Sequence, residues 1–380
     1  MEQIIKAKKI LVRAPNWVGD VVMATPAFRC IRENFADSHI TLLIKKNLRG
    51  ITDGSPWFDD VIELETKAGK NKNGFFSPRK IFSGNTKEYL GLIQKLRQER
   101  FDMGFLFPNS FSSALMVWLG GVSRRIGYIR DSRSFLLTDG IERLSENGKF
   151  RPNYMGDYYL RLCTQLGCKI VSKQLELFIS RECEDNADEL LKKYHIDEKP
   201  FFLINPGASY GSSKLWTAEG FARTADLLRE VADCNIVLNS GQGETRLADE
   251  IERLSKKGLI NLSRASITLD VLKVLVRKCM LLITLDSGPR HFAVALNRPV
   301  VVLMGPNDPR YTESEYEIGK VIREDVDCSP CQLKTCPTDR RCMTRILPEK
   351  VVQACIDILN LKYNRNKIDR NLTTTLPTEN

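Results

Sequence analysis

The chain has 380 residues, of which 42% are hydrophobic and 27% charged, and its formal net charge is +10. This length predicts two domains of about 170–190 residues rather than one core. No apolar run approaches the roughly 18–20 residues of a membrane span, and the N-terminus lacks the pattern of a signal peptide. We therefore expect a cytoplasmic protein with mostly reduced, buried cysteines and an anionic partner.

The first half of the chain alternates short apolar strands with helical patterns. Residues 14–28, APNWVGDVVMATPAF, follow the first strand, and Thr25 is predicted to cap a helix that has Pro26 in its first turn. Gly19 and Asp20 fall where open α/β sheets bind ligands, although such a pair is also typical of an ordinary turn. Strands are predicted at 8–14, 40–44, 61–64 and 102–107, with a helix at 153–169.

The second half repeats the alternation. Strands are predicted at 201–205, 235–239, 259–262, 280–285 and 299–304. These runs are apolar almost throughout, which is typical of parallel strands covered by helices on both faces. A helix is predicted to begin at Thr217 and to bury Phe221, Ala225 and Leu228. The sequence thus predicts an α/β protein of two doubly wound domains, 1–177 and 178–362, with a disordered tail at 363–380.

Three loops after strands of the second half carry candidate site residues. The loop PGASYGSSKLW (206–216) combines small residues with Lys214 before a helix, which favours phosphate binding over an ordinary turn. In SGQGETR (240–246) the third glycine of a dinucleotide fingerprint is missing, so NAD binding is not expected. Glu244 could accept hydrogen bonds from a ribose or could simply lie in the first turn of a helix.

The third loop, DSGPRH (286–291), places an acid, a hydroxyl, a glycine and one of only three histidines together. Asp286 and Ser287 could serve only as helix caps. The presence of so many reactive and hydrogen-bonding side chains within six residues nevertheless favours a functional site.

Two regions account for much of the positive charge. Residues 67–87 hold six Lys or Arg and no acid, interleaved with Phe75 and Phe76. The second region is a group of four arginines in the first half of the chain: Arg124, Arg125, Arg130 and Arg133. For both regions, the alternative to an anion-binding site is a solvated loop. No nucleic-acid recognition motif accompanies them.

Four cysteines are closely spaced near the C-terminus: Cys328, Cys331, Cys336 and Cys342. In a cytoplasmic protein such a group suggests a structural zinc or iron site, although the spacing is tighter than that of two separated CxxC pairs. Reduced thiols or a reversible disulfide are the alternatives.

Several segments in the same order resemble the ADP-heptose:lipopolysaccharide heptosyltransferases of glycosyltransferase family 9. They are APNWVGDVVMATPAF, FLFPNSFSSAL, RRIGYIRDSRSFLLT, DYYLRL, NPGASYGSSKLWTAEGFA, LLITLDSGPRHFAVALNRPVVVLMGPNDPRYT and CSPCQLKTCPTDRRCMTRI. The resemblance covers about residues 8–355 and is most specific for members that add the second heptose of the inner core. It implies a GT-B fold, in which two Rossmann-like domains face a central cleft. Arg290 and the basic stretch at 67–87 depart from the family pattern.

The resemblance implies an inverting enzyme that uses ADP-heptose as donor and needs no cofactor. Asp20 would be the general base, and the donor would be bound in the C-terminal domain. The implied donor residues are Ser209, Ser212, Ser213, Lys214, Glu244, Asp286, Ser287, Gly288 and His291. His291 would contact the donor or only orient Asp286.

The acceptor would be the heptose of a lipopolysaccharide core, bound by the N-terminal domain. The implied acceptor residues are Asn16, Trp17, Gly19, Asn109, Ser110, Arg124 and Arg130. The enzyme would then work peripherally at the inner face of the inner membrane. Alternatives are a family 9 transferase with another acceptor, such as the first-heptose type, and a non-catalytic protein that binds a nucleotide sugar.

Overall fold

A computed structural model describes residues 7–65, 86–146, 149–241 and 243–360. The predictions made for most of the basic stretch, residues 67–85, and for the tail at 363–380 lie outside the described residues. The chain divides into two units, Met1–Ser180 and Arg181–Asn380. The boundary expected from the sequence, at 177/178, lies three residues before this division.

The first unit is built on a six-stranded parallel sheet with the order β3-β2-β1-β4-β5-β6. Its strands are β1 (Lys9–Arg13), β2 (His39–Lys45), β3 (Asp60–Leu64), β4 (Met103–Leu106), β5 (Arg124–Tyr128) and β6 (Asp139–Ile141). This order is that of the Rossmann fold, in which ligands bind beyond the carboxyl ends of the strands. Two short strands, β7 (Ser145–Glu146) and β8 (Lys149–Phe150), pair antiparallel.

The helices of the first unit connect these strands. They are α1 (Val18–Met23), α2 (Thr25–Asn34), α3 (Arg49–Thr52), α4 (Thr86–Glu99), α5 (Phe111–Leu119) and α6 (Met155–Thr164). The predicted cap at Thr25 is wrong, because Ala24 occupies the N-cap position of α2. Helix α1 ends directly before it, and the Thr25 hydroxyl donates to the carbonyl of Val22 at 2.8 Å.

The second unit repeats the same strand order, β11-β10-β9-β12-β13-β14, and all its strand pairs are parallel. Its strands are β9 (Phe201–Asn205), β10 (Asn235–Leu238), β11 (Ile260–Asn261), β12 (Leu281–Leu285), β13 (Val300–Leu303) and β14 (Gly319–Ile322). Its helices are α7 (Arg181–Lys193), α8 (Ala218–Val231), α9 (Thr245–Leu254), α10 (Leu269–Lys278), α11 (Gly288–Ala295), α12 (Arg341–Thr344) and α13 (Pro348–Leu359). Two Rossmann-like α/β units are thus present, as the sequence predicts.

Each unit buries its own apolar core around the sheet. In the second unit the predicted face of α8 is confirmed, since Phe221, Ala225 and Leu228 are fully buried in the core. The hydroxyl of Thr217 accepts from the backbone N–H of Gly220 at 3.0 Å, so the predicted start of this helix is also confirmed. Burial of each large apolar side chain contributes about 1.5–3 kcal/mol to folding. Among the described residues, no helix is both long and apolar enough to cross a membrane.

Candidate functional site

In the second unit, the loops that follow strands β9 and β12 bring Lys214 and Asp286 together. The Lys214 ammonium donates to the main-chain carbonyl of Asp286 at 2.6 Å and lies 3.2 Å from its carboxylate. Both side chains are almost fully buried. Two residues 72 positions apart in the sequence therefore form one polar centre at the carboxyl edge of the second sheet.

Arg290, in the first turn of α11, completes this centre. Its guanidinium is fully buried and donates to the Asp286 carboxylate at 3.0 Å. It also forms a bidentate pair with Glu317, with donor–acceptor distances of 2.6 and 3.1 Å. Asn307 donates to the second oxygen of Asp286 at 2.5 Å. Arg290, which departs from the family pattern, thus holds two buried carboxylates in place.

The charges of this centre fix the protonation of its members. Burial alone would raise the pKa of Asp286, but Lys214 and Arg290 hold that pKa well below its ordinary value, so the side chain is a carboxylate. Burial, and then the nearby Arg290, lower the pKa of His291 to about 3. His291 is therefore neutral near pH 7 and cannot bind a phosphate as a cation.

Several buried polar atoms at the same edge of the second sheet have no hydrogen-bond partner within the described part of the chain. They are Asn239 Oδ1, Ser240 Oγ, His291 Nδ1 and Asn307 Oδ1. Asn239 and Ser240 directly follow β10, and Asn307 follows β13, so they belong to the same edge of the sheet. Buried polar groups are rarely left unpaired, and such a group is typical of a site for a polar ligand. The sequence analysis did not select Asn239, Ser240 or Asn307.

Glu244 lies at the N-cap of α9, and its carboxylate accepts from the backbone N–H of Gly241 at 2.9 Å. This contact fits the alternative of a local structural role, and no described residue forms a hydrogen bond with the other carboxylate oxygen. Gly207 lies directly against it, because a Cβ atom added there would be 1.7 Å from Glu244 Oε2. The absence of a side chain at Gly207 is thus what permits the position of Glu244.

The loop at 206–216 is held against the segment 332–334. Ser213 donates from its backbone N–H to Lys334 at 3.1 Å and from its hydroxyl to Leu333 at 2.5 Å. A Cβ atom at Gly211 would be 2.2 Å from the carbonyl oxygen of Lys334, so only glycine permits this approach. The Ser213 hydroxyl is therefore engaged, whereas Ser209 and Ser212 are exposed.

The four clustered cysteines, for which a structural metal site was one of the alternatives, lie in the described part of the chain. Among the described residues, which include all four clustered cysteines, no group of three or more His, Cys, Asp or Glu side chains is arranged to hold a metal ion. All four are free thiols, with Cys328 exposed and Cys342 buried. The segment that contains them also supplies carbonyl acceptors that hold the loop at 206–216.

In the first unit, Asp20 lies in α1, directly beyond the carboxyl end of β1. Its Oδ1 atom accepts a hydrogen bond from the hydroxyl of Tyr159 in α6 at 2.5 Å. Burial, followed by the charge of Asp20, raises the pKa of Tyr159 well above its ordinary value, so the phenol remains a donor. The Asp20 residue is partly exposed.

The predicted acceptor residues Asn16, Trp17, Gly19, Asn109 and Arg130 differ in their exposure and in their hydrogen bonds. Trp17 is 57% exposed, and Arg130 is exposed beside Asp131. Asn16 accepts from Arg13 at 2.6 Å, and Asn109 accepts from Tyr158 at 3.0 Å. Gly19 lies within α1, next to Asp20. Asp20, Asn16 and Gly19 thus lie within five residues of chain, at one edge of the first sheet.

Ser110 and Arg124 have structural partners. Ser110 caps α5 by accepting from the backbone N–H of Ser113. Arg124 forms a bidentate pair with Asp139 on the neighbouring strand, with a shortest distance of 2.6 Å. The alternative of a solvated loop is wrong for Arg124 and Arg125, because both lie in strand β5.

Comparisons with known proteins agree with this architecture. Residues 89–341 match the model of glycosyltransferase family 9 (heptosyltransferase). The chain is 26% identical to lipooligosaccharide heptosyltransferase 2 of Campylobacter jejuni over 92% of this chain and 98% of that one. The structure of E. coli ADP-heptose LPS heptosyltransferase II superposes with a TM-score of 0.73, 25% identity and coverage of 93% of this chain and 98% of that chain.

A family 9 glycosyltransferase of Veillonella parvula superposes with a TM-score of 0.77 at 21% identity, covering 95% of this chain and 99% of that chain, which establishes likeness of fold. The family model spans more than half of the chain, and the two Rossmann-like units are those of the GT-B fold. The chain therefore belongs to glycosyltransferase family 9 and is a glycosyltransferase.

Proposed function

We propose that the enzyme transfers L-glycero-D-manno-heptose from ADP-heptose to the first heptose of a lipopolysaccharide inner core. The observation that carries this proposal is the group of unpartnered polar atoms at the sheet edge that also holds Lys214 and Asp286. It offers a cation and several neutral hydrogen-bonding groups at one sheet edge, as a nucleotide sugar requires. The similarity to heptosyltransferase 2 enzymes along nearly the whole chain supports the choice of sugar.

The donor would be bound by the second unit. Lys214, with the backbone N–H groups of Ser287 and Gly288 at the start of α11, would stabilise the charge that develops on the diphosphate. Asp286, fixed as a carboxylate, would accept hydrogen bonds from heptose hydroxyls. Neutral His291 would use its unpartnered Nδ1 atom for a hydroxyl or phosphate oxygen. These groups supply the stabilisation without a required metal cofactor.

The reaction would be a single displacement with inversion. The acceptor hydroxyl oxygen attacks the anomeric carbon, and the bond from that carbon to the diphosphate breaks with its electron pair leaving on ADP. Asp20 takes the hydroxyl proton on its carboxylate. Asn16, Trp17, Gly19, Asn109, Ser110 and Arg130 would form the acceptor side. A lipid-linked acceptor would bring the enzyme to a membrane surface.

Glu244 would bind the ribose, and Gly207 offers a way to test this without removing the carboxylate. In Gly207→Ala the new Cβ atom would displace the Glu244 side chain. Loss of a hydrogen bond to a charged group costs about 1.5–3 kcal/mol, so the Kd for ADP should rise about tenfold or more. Isothermal titration calorimetry with ADP measures this change.

Gly243→Ala is the matched control, because a Cβ atom at Gly243 meets no other atom within 4 Å. Its Kd for ADP should equal that of the unaltered enzyme. If both alanine variants bind ADP equally well, Glu244 does not contact the nucleotide.

The proposed function as a whole is tested by incubating the enzyme with ADP-heptose and purified cores that carry either no heptose or one heptose. Mass spectrometry of the products should show addition of one heptose to the one-heptose core alone. Transfer to the heptose-free core would instead indicate a first-heptose enzyme. Binding of ADP-heptose without transfer to either core would contradict the proposal and favour a different acceptor or a binding protein.

A further inference from the structure

The first unit contains a cavity of about 540 Å³. Of the residues that line it, only Asn16 and Ser110 have been given a proposed role above. Arg13 and Lys45, the last residues of β1 and β2, contribute to its lining. Ser110, Ser112 and Ser113 from the start of α5 contribute hydroxyls. The cavity therefore lies at the carboxyl edge of the first sheet, where this fold class binds ligands.

Arg13 is a buried cation without a carboxylate partner among the described residues. Its guanidinium donates to main-chain carbonyls and to Asn16 Oδ1, all of them neutral, and its Nε atom has no partner. Burial lowers the pKa of Arg13 to about 10. The side chain still carries its positive charge at neutral pH, and no carboxylate among the described residues pairs with it.

Lys45 adds a second cation to the same cavity. It is half-buried, and its ammonium makes one long contact, 3.4 Å, with the carbonyl of Asn16. Burial, and then the charge of Arg13, lower the pKa of Lys45. Two like charges that each make the other less favourable are costly in a folded protein unless an anion joins them.

We propose that Arg13 and Lys45 form a subsite for one anionic group, a phosphate or a carboxylate, on the sugar acceptor. An arginine fork beside a lysine suits either group, and the neighbouring serines can donate further hydrogen bonds. Glu63, Glu65 and Glu88 also line the cavity. The subsite thus suits a hydroxyl-rich ligand that carries one anionic group and is otherwise uncharged, and it disfavours a polyanion.

This inference rests on the proposed function only for the identity of the ligand, since the subsite itself can be tested without transfer. Arg124, which the sequence suggested for the acceptor anion, is already paired with Asp139. Arg13 and Lys45 are cations of the first unit's cavity that lack such a partner among the described residues and are at least half-buried, whereas Lys95, which also lines the cavity, is exposed.

The test measures the thermal stability of the full chain with ADP present throughout, so that the diphosphate site is occupied. Inorganic phosphate and glucuronate are added separately at constant ionic strength. At least one should raise the Tm by about 2–4 °C, and the more effective anion identifies the chemical group that the subsite prefers. The rise should be lost in Lys45→Gln and restored in Lys45→Arg.

Lys8→Gln is the control, because exposed Lys8 precedes β1 at the opposite end of the sheet. It removes one charge and should keep the response. The proposal is overturned if neither anion raises the Tm of the unaltered enzyme, or if Lys45→Gln responds as fully as Lys8→Gln. Failure of heptose transfer with an intact anion response would instead count against the proposed function alone.

Discussion

Asp20→Asn is expected to lower kcat by about 10²–10⁴-fold, which is the usual contribution of a general base. The amide keeps the shape of the side chain and can still accept from the Tyr159 hydroxyl, but it cannot take a proton. The Kd for ADP should not change, because Asp20 lies in the first unit and the proposed donor residues lie in the second. Single-turnover transfer assays, together with calorimetry for ADP, measure both quantities.

Tyr159→Phe distinguishes loss of the proton acceptor from loss of the hydrogen bond that connects Asp20 with α6. It removes the 2.5 Å hydrogen bond to Asp20 while the carboxylate remains. We expect it to lower kcat less than tenfold, since the proton acceptor is intact. A kcat for Asp20→Asn within threefold of the unaltered enzyme would mean that Asp20 serves only to join α1 to α6.

Arg290→Met is expected to lower the stability of the second unit by about 3–5 kcal/mol. The substitution leaves Glu317 buried without its bidentate partner and removes one of the cations that hold Asp286. Removing one member of a buried ion pair is costly because the remaining charge stays desolvated. Since two units need not unfold together, the shift of the urea transition that reports the second unit is the quantity to measure.

Two further variants make this prediction specific. Arg264→Met breaks an ion pair with Asp249 in which the arginine side chain is 74% exposed, and it should cost less than about 1 kcal/mol. Adding Glu317→Leu to Arg290→Met should recover part of the loss, because the unpaired carboxylate is then gone. Equal shifts for Arg290→Met and Arg264→Met would show that the buried network does not stabilise the unit.

The strands that the sequence predicts well are those with uninterrupted apolar runs. The run FFLIN coincides with β9, because both faces of a central strand are covered by helices. Strand β5 was missed, since RRIGY opens with two arginines and resembles a polar loop. Its arginines are tolerated because Arg124 pairs with Asp139 on the next strand, a contact that no local pattern reveals.

The sequence predicted only part of the candidate site, because local patterns reveal residues that follow apolar strands but not contacts between distant residues. Lys214 and Asp286 each follow an apolar strand, and parallel topology brings such positions to one edge of the sheet. The burial of Arg290 could not be anticipated, because an arginine on a helix is usually exposed. Arg13 ends the first apolar strand. A positive charge at the end of a buried strand indicates an anion site at that edge of the sheet, and the sequence analysis did not use this signal.

The contact between the loop at 206–216 and the segment 332–334 has a consequence for how these sequences diverge. The acceptors are main-chain carbonyls, reached by Tyr210 and Ser213, so they are available whichever side chains occupy 332–334. Relatives should therefore vary in residue type at 333 and 334, within what the positive φ of Gln332 permits at 332, yet keep the number of residues constant. Insertions and deletions, rather than substitutions, are the changes that natural selection should remove from this segment.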